Sequence, residues 1–108
     1  MDVTQLRALP LFADLEVSVL QQLAEHSRVR SYQADEVVFH EGEMLPAGLH
    51  VLLSGRLRMS KIAASGKETI LRILPPGELF AAPALCGDGV APATVTAIAT
   101  ATVLILER

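Results

Sequence analysis

Apolar positions along this chain follow two different periods. Near the N-terminus, VSVLQQLAEH places Leu20, Leu23 and Ala24 three and four residues apart, the spacing of one helix face. Asp14 and Glu16 stand just upstream, where carboxylates favour a helix start, and the pattern breaks near His26. Leu9, Leu11 and Phe12, flanking Pro10, would seat this helix on the rest of the molecule.

From Arg28 onward the signal is that of β-structure. Residues 28–32, 36–40, 49–53, 56–62, 68–74, 93–99 and 102–107 read as short strands. Turn chemistry separates them at Glu41-Gly42, Pro46 to Gly48, Ser54-Gly55, Ser65-Gly66, Pro75 to Gly77 and Gly87 to Gly89. In the last two strands Thr and Ala alternate with Val, Ile and Leu, as the interior of a small closed sheet requires. Leu79 to Cys86 is a short, helix-compatible apolar run. The whole predicts a mainly β domain with flanking helices, built as a sandwich, roll or barrel.

A length of 108 residues fits one domain, and 51% hydrophobic content is enough for a sizeable core. No run approaches the roughly eighteen apolar residues that cross a bilayer. The opening MDVTQLRALP carries an acid early and does not read as a secretory signal. One cysteine leaves no internal disulfide and is compatible with a reducing cytoplasm, the expected location. Net charge is −3 and the basic residues are scattered. Without a Lys/Arg footprint this chain is not expected to grip nucleic acid by itself.

The stretch PPGELFAAPALCGDGVAPAT is unusual. It contains four of the six prolines, three of the seven glycines and the single cysteine, yet no Lys or Arg. Such dense backbone punctuation shapes a loop around something.

Four short motifs, in order, carry a resemblance. They are Phe39-His40-Glu41-Gly42, Leu49 through Gly55, Gly66-Lys67-Glu68 and Pro76-Gly77-Glu78. With the helical lead-in, they resemble the cyclic-nucleotide-binding domain of the Crp/Fnr regulators over nearly the whole chain. The resemblance implies a double-stranded β-helix, that is, a jelly-roll-like β-roll, with N-terminal helices and a short cassette helix. Residues 1–27 would be the lead-in and residues 28–108 the effector-binding roll. The glycines also have a plain structural reading, since tight turns between short strands favour positive φ.

In that family the ligand sits at a phosphate-binding cassette after the Pro-Gly-Glu turn. Backbone N–H groups at a helix start face the cyclic phosphate, an Arg neutralises it, and a Glu accepts from the ribose hydroxyl. Carried over by position, Phe80 matches the cassette Phe. Ala81 stands at the Gly position and Ala82 at the Glu position. Ala91 stands at the Arg position, Pro92 at the Ser position, and Ala93 matches the Ala. Sliding the loop cannot restore the cation, because no Lys or Arg occurs between Arg72 and Arg108. Cyclic AMP or cyclic GMP is therefore not expected to bind in the usual way.

Leu71, Leu74, Gly77, Leu79, Phe80, Ala81, Ala82, Ala91, Pro92 and Ala93 are the candidate pocket residues, with Ala84 and Leu85 also near the old nucleotide site. Their small or apolar side chains would suit a hydrophobic metabolite, a haem or a filled core. Arg72, on the strand before the turn, is read as solvent-facing; turned inward it would hold an acidic ligand. No cofactor is expected, haem being the alternative. Iron–sulfur relatives need several cysteines, and haem relatives that sense carbon monoxide place Cys and His where Ala81 to Pro83 stand here. His26 suits a helix C-terminus. His40 and His50 are read as surface or hydrogen-bonded residues, and Cys86 as a structural thiol without a basic neighbour.

The resemblance implies a non-enzymatic sensor domain of a transcription regulator, with a small-molecule effector and no membrane. DNA would be read by a C-terminal domain outside this chain, and the full-length regulator would be a homodimer. Two other classes stand as alternatives. One is the regulatory domain of a kinase or channel. The other is a cupin-like metal barrel using His40, Glu41 and His50, for which a later histidine ligand is missing.

Overall fold

The computed structural model describes residues 2–45, 48–81 and 89–106. Helix α1 (Val3–Arg7) begins on a capping box at Asp2. The Asp2 carboxylate accepts from the Gln5 N–H at 2.8 Å, and the Gln5 amide oxygen accepts from the Asp2 N–H at 2.9 Å. A single 3-10 turn at Pro10–Phe12 follows, with proline at the position where a missing N–H costs nothing. Helix α2 (Val17–Glu25) then runs to a C-cap at His26. Its N-cap, Glu16, makes no side-chain cap. Leu20 is fully buried, with Leu23 and Ala24 packed around it. The three-residue period of the 3-10 turn puts Leu9 and Phe12 on the packed side and leaves Leu11 47% exposed, so Leu11 does not seat the helix.

Among the described residues eight strands follow: β1 (Ser27–Tyr32), β2 (Val37–Phe39), β3 (Leu49–Ser54), β4 (Leu57–Ile62), β5 (Glu68–Leu74), β6 (Leu79–Ala81), β7 (Thr94–Ala97) and β8 (Ala101–Leu106). They form two antiparallel four-stranded sheets, ordered β1-β8-β3-β6 and β2-β7-β4-β5. Seven fall within two residues of the predicted runs. The eighth, β6, is a correction. Leu79–Ala81 was read as the start of a helix, but it pairs with β3, His50 opposite Ala81 and Val51 opposite Leu79. The edge of β3 offers these residues backbone partners that an isolated apolar run cannot reveal. Residues 82–88, where the rest of the predicted cassette helix falls, lie outside the described residues.

Two apolar clusters hold the roll together. One lies between the sheets and includes Tyr32, Phe39, Leu52, Leu57, Leu74, Val95, Val103 and Ile105. The other joins Val51, Leu104 and Leu106 to Leu6, Phe12 and Leu20 of the lead-in. Strand β8 therefore serves both clusters, Val103 and Ile105 on one face, Leu104 and Leu106 on the other. That is why ATVLIL lacks the polar positions of a half-exposed strand.

Candidate effector-binding site

The Pro76-Gly77-Glu78 turn is hooked onto β3. The Gly77 N–H donates to the Leu52 carbonyl at 2.6 Å, and the Leu52 N–H donates to the Glu78 carbonyl at 3.0 Å. The chain enters β6 from this anchor. Phe80 stacks on Phe39 with centroids 6.2 Å apart, and His50 meets both rings edge-on at 6.4 and 5.9 Å. His50 is thus buried at 3% exposure rather than a surface residue, while His40 is exposed. Among the described residues no three His, Cys, Asp or Glu side chains gather in a way that could hold a metal ion.

The return segment is built against the turn that follows β2. The Ala91 N–H donates to the Glu43 carbonyl at 2.8 Å, and the Gly42 N–H donates to the Ala91 carbonyl at 2.9 Å. The Leu45 N–H donates to the Gly89 carbonyl at 2.8 Å, and Met44 bridges Val90. The Glu41 N–H is taken by Thr94 Oγ1 at 3.0 Å. At the position matched to the phosphate arginine there is thus a methyl group, 2% exposed, whose own backbone donor and acceptor are both in use. Pro92 is exposed and has no N–H; Ala93 is buried.

The candidate lining residues do not all come together. Leu74, Ala81 and Ala91 belong to the cluster between the sheets, and Phe80 packs against it. Leu79 packs instead with the cluster under the helices. Leu71 is 52% exposed, and its neighbours Ile70 and Ile73 on the edge strand β5 are exposed too. The register of β5 with β4 is irregular there, Met59 facing Arg72 while Ser60 faces Ile70. Arg72 keeps an exposed side chain and forms a close ion pair with Glu78. Ala82 and Cys86 lie outside the described residues.

Ala91 and Pro92 border an open pocket of about 340 Å³, completed by Glu41, Gly42, Lys61 and Val90. The Lys61 ammonium donates to Glu41 Oε2 at 2.9 Å across it. Lys61 is not marked by any motif in the sequence, and Glu41 is marked only as part of the turn motif and of the cupin-like alternative. They are twenty positions apart, and only the approach of β4 to the turn after β2 joins them. Elsewhere on the β4–β5 pair the Oγ of buried Ser60 and the Nε of Arg58 donate to Glu68 Oε2 at 2.7 and 3.1 Å. These hydrogen bonds, Ser60 first, hold the Glu68 carboxyl below its ordinary value.

A roll of two antiparallel sheets behind a helical lead-in, with a Pro-Gly-Glu turn feeding β6, defines the class of β-roll domains. The family model described as the cyclic nucleotide-binding domain matches residues 29–108, and the chain belongs to that family. It is 29% identical over 99 residues to the cyclic AMP receptor protein of Thermus thermophilus, covering 92% of this chain and 45% of that relative. The chain thus spans under half the length of the curated relatives it matches. Among solved structures, the catabolite activator protein of Thermus thermophilus superposes with a TM-score of 0.73 at 28% identity, covering 92% of this chain and 46% of that one. The sensor domain of the transcriptional regulator DNR from Pseudomonas aeruginosa shares the fold, with a TM-score of 0.78 at 24% identity, covering 95% of this chain and 69% of that one. No helix among the described residues is long and apolar enough to cross a membrane.

Proposed function

We propose that this chain is the effector-sensing domain of a Crp/Fnr-type transcription regulator whose cassette no longer takes a cyclic nucleotide. One observation carries the second half of this reading. The backbone N–H and carbonyl of Ala91 are committed to the turn at Gly42 and Glu43, so the arginine position offers a phosphate neither a cation nor a donor. The Glu position is Ala82, and no Lys or Arg follows until Arg108. Of the nearest cations, Lys61 is paired with Glu41 and Arg72 with Glu78. A phosphate withdrawn from water without a partner costs several kcal/mol, which the remaining apolar contacts do not offset.

The regulator reading rests on the similarity to the cyclic AMP receptor protein. In it, the effector acts on a homodimer, and DNA is read by segments beyond this domain. The domain itself performs no catalysis and carries no prosthetic group. Calorimetric titration of the chain with cyclic AMP and cyclic GMP should give no saturable heat. Tight one-to-one binding of either nucleotide would overturn the proposal. An absorption spectrum of the full-length regulator should lack a Soret band; haem in the isolated protein would replace the metabolite reading.

A further inference from the structure

The pocket beside Ala91 and Pro92 has a definite chemistry. Among the described residues its apolar wall is Val90 and Pro92, with Ala91 behind them at 2% exposure, and the Lys61 ammonium and the Glu41 carboxylate line it 2.9 Å apart. The backbone donors of Glu41, Gly42 and Ala91 are spent on Thr94 Oγ1, the Ala91 carbonyl and the Glu43 carbonyl, and Pro92 has none. Among the described residues a ligand therefore meets one cation and one anion beside an apolar surface.

That combination discriminates by charge. A simple anion drawn to Lys61 would lie against Glu41, with Glu43 next along the same turn. A simple cation drawn to Glu41 would lie against Lys61. A molecule with both charges satisfies both side chains. Lys61 and Glu41 are 49% and 40% exposed, and an ion pair so placed contributes only about 0–1 kcal/mol, so separating it costs little. Two charge-assisted hydrogen bonds to the ligand then replace one.

We propose that this pocket binds a small zwitterion with an apolar tail, an α-amino acid of about leucine size. Its carboxylate takes Lys61, its ammonium takes Glu41, and its side chain lies on Val90 and Pro92. The proposal rests on reading the cassette region as an effector site and names the ligand class of that site.

The test is a nuclear magnetic resonance titration of the isotope-labelled chain with L-leucine. 4-Methylpentanoate, which lacks the ammonium, and 3-methylbutylamine, which lacks the carboxylate, serve as probes of each charge. Leucine should give saturable shifts centred on residues 41, 42, 61 and 90–92, and both probes should bind at least tenfold more weakly. Lys61→Met and Glu41→Gln should each weaken leucine at least tenfold. The exchange Lys61→Glu with Glu41→Lys should shift the preference from L-leucine to D-leucine, because swapping the two charged groups about Cα with the side chain held in place inverts the required hand. Unchanged circular dichroism would show each variant folded. Saturable shifts that the acid probe matches, or shifts centred elsewhere, would overturn the zwitterion site, as would the absence of saturable shifts. Cyclic nucleotide binding would instead overturn the degenerate-cassette reading, so the two failures are distinct.

Discussion

Gly55 offers the sharpest test of how the roll is closed. It follows β3 at a φ of +86°, a conformation in which an L side chain crowds its own backbone. The surroundings add a second cost. A Cβ at this position would stand 2.7 Å from the Ala101 Cα and closer still to the Thr100 carbonyl oxygen, both backbone atoms at the entry to β8. Gly66, in the β4–β5 hairpin, has the same φ of +88° with nothing within 4 Å of a built Cβ. Gly66→Ala therefore isolates the dihedral term, about 1–2 kcal/mol. Gly55→Ala carries that term plus overpacking of about 1–3 kcal/mol, so about 2–5 kcal/mol in all. For a domain with a total stability of about 5–15 kcal/mol this is a large share. Urea denaturation followed by far-ultraviolet circular dichroism reads the difference. With a slope of about 2 kcal/mol per molar, the Gly55→Ala midpoint should fall by about 1–2.5 M, clearly more than that of Gly66→Ala. Equal losses in the two variants would refute the close backbone approach between the β3–β4 turn and β8.

Two further outcomes test the packing and the surface network. Leu74→Ala should cost about 2–5 kcal/mol, because Leu74 is 1% exposed between the sheets. Leu71→Ala, at 52% exposure three residues earlier, should stay within about 0.5 kcal/mol in the same urea experiment. The Glu68 carboxyl is held below its ordinary value of 4.5, by Ser60 first and Arg58 second. Its folded-state pKa is thus the lower one, and its contribution is present above about pH 4.5 and is lost as pH falls through the folded value. Glu68→Gln should therefore lower stability at neutral pH and flatten the acid decline seen in the parent protein. An unchanged slope between neutral pH and about pH 3 would count against this hydrogen-bonded network.

Much of the architecture was legible because its determinants are local. Short alternating runs and glycine turns located seven strands, and i, i+3, i+4 spacing located α2. The α1 capping box, by contrast, went unread although Asp2 and Gln5 carry the residue types for it. Strand β6 was misread because three apolar residues have no period of their own, and their state is set by the free edge of β3.

The sequence by itself determined the family and the absence of any Lys or Arg from residue 73 to residue 107. These are matters of residue identity and need no coordinates. Only the tertiary structure decided that Ala91 spends both backbone groups on a turn some fifty residues earlier. It alone removed Leu71 from the interior and set Lys61 against Glu41 beside Pro92. Hydrogen-bond and charge partners of this kind come from strands far apart in the chain, and closing the two sheets is what brings them within reach.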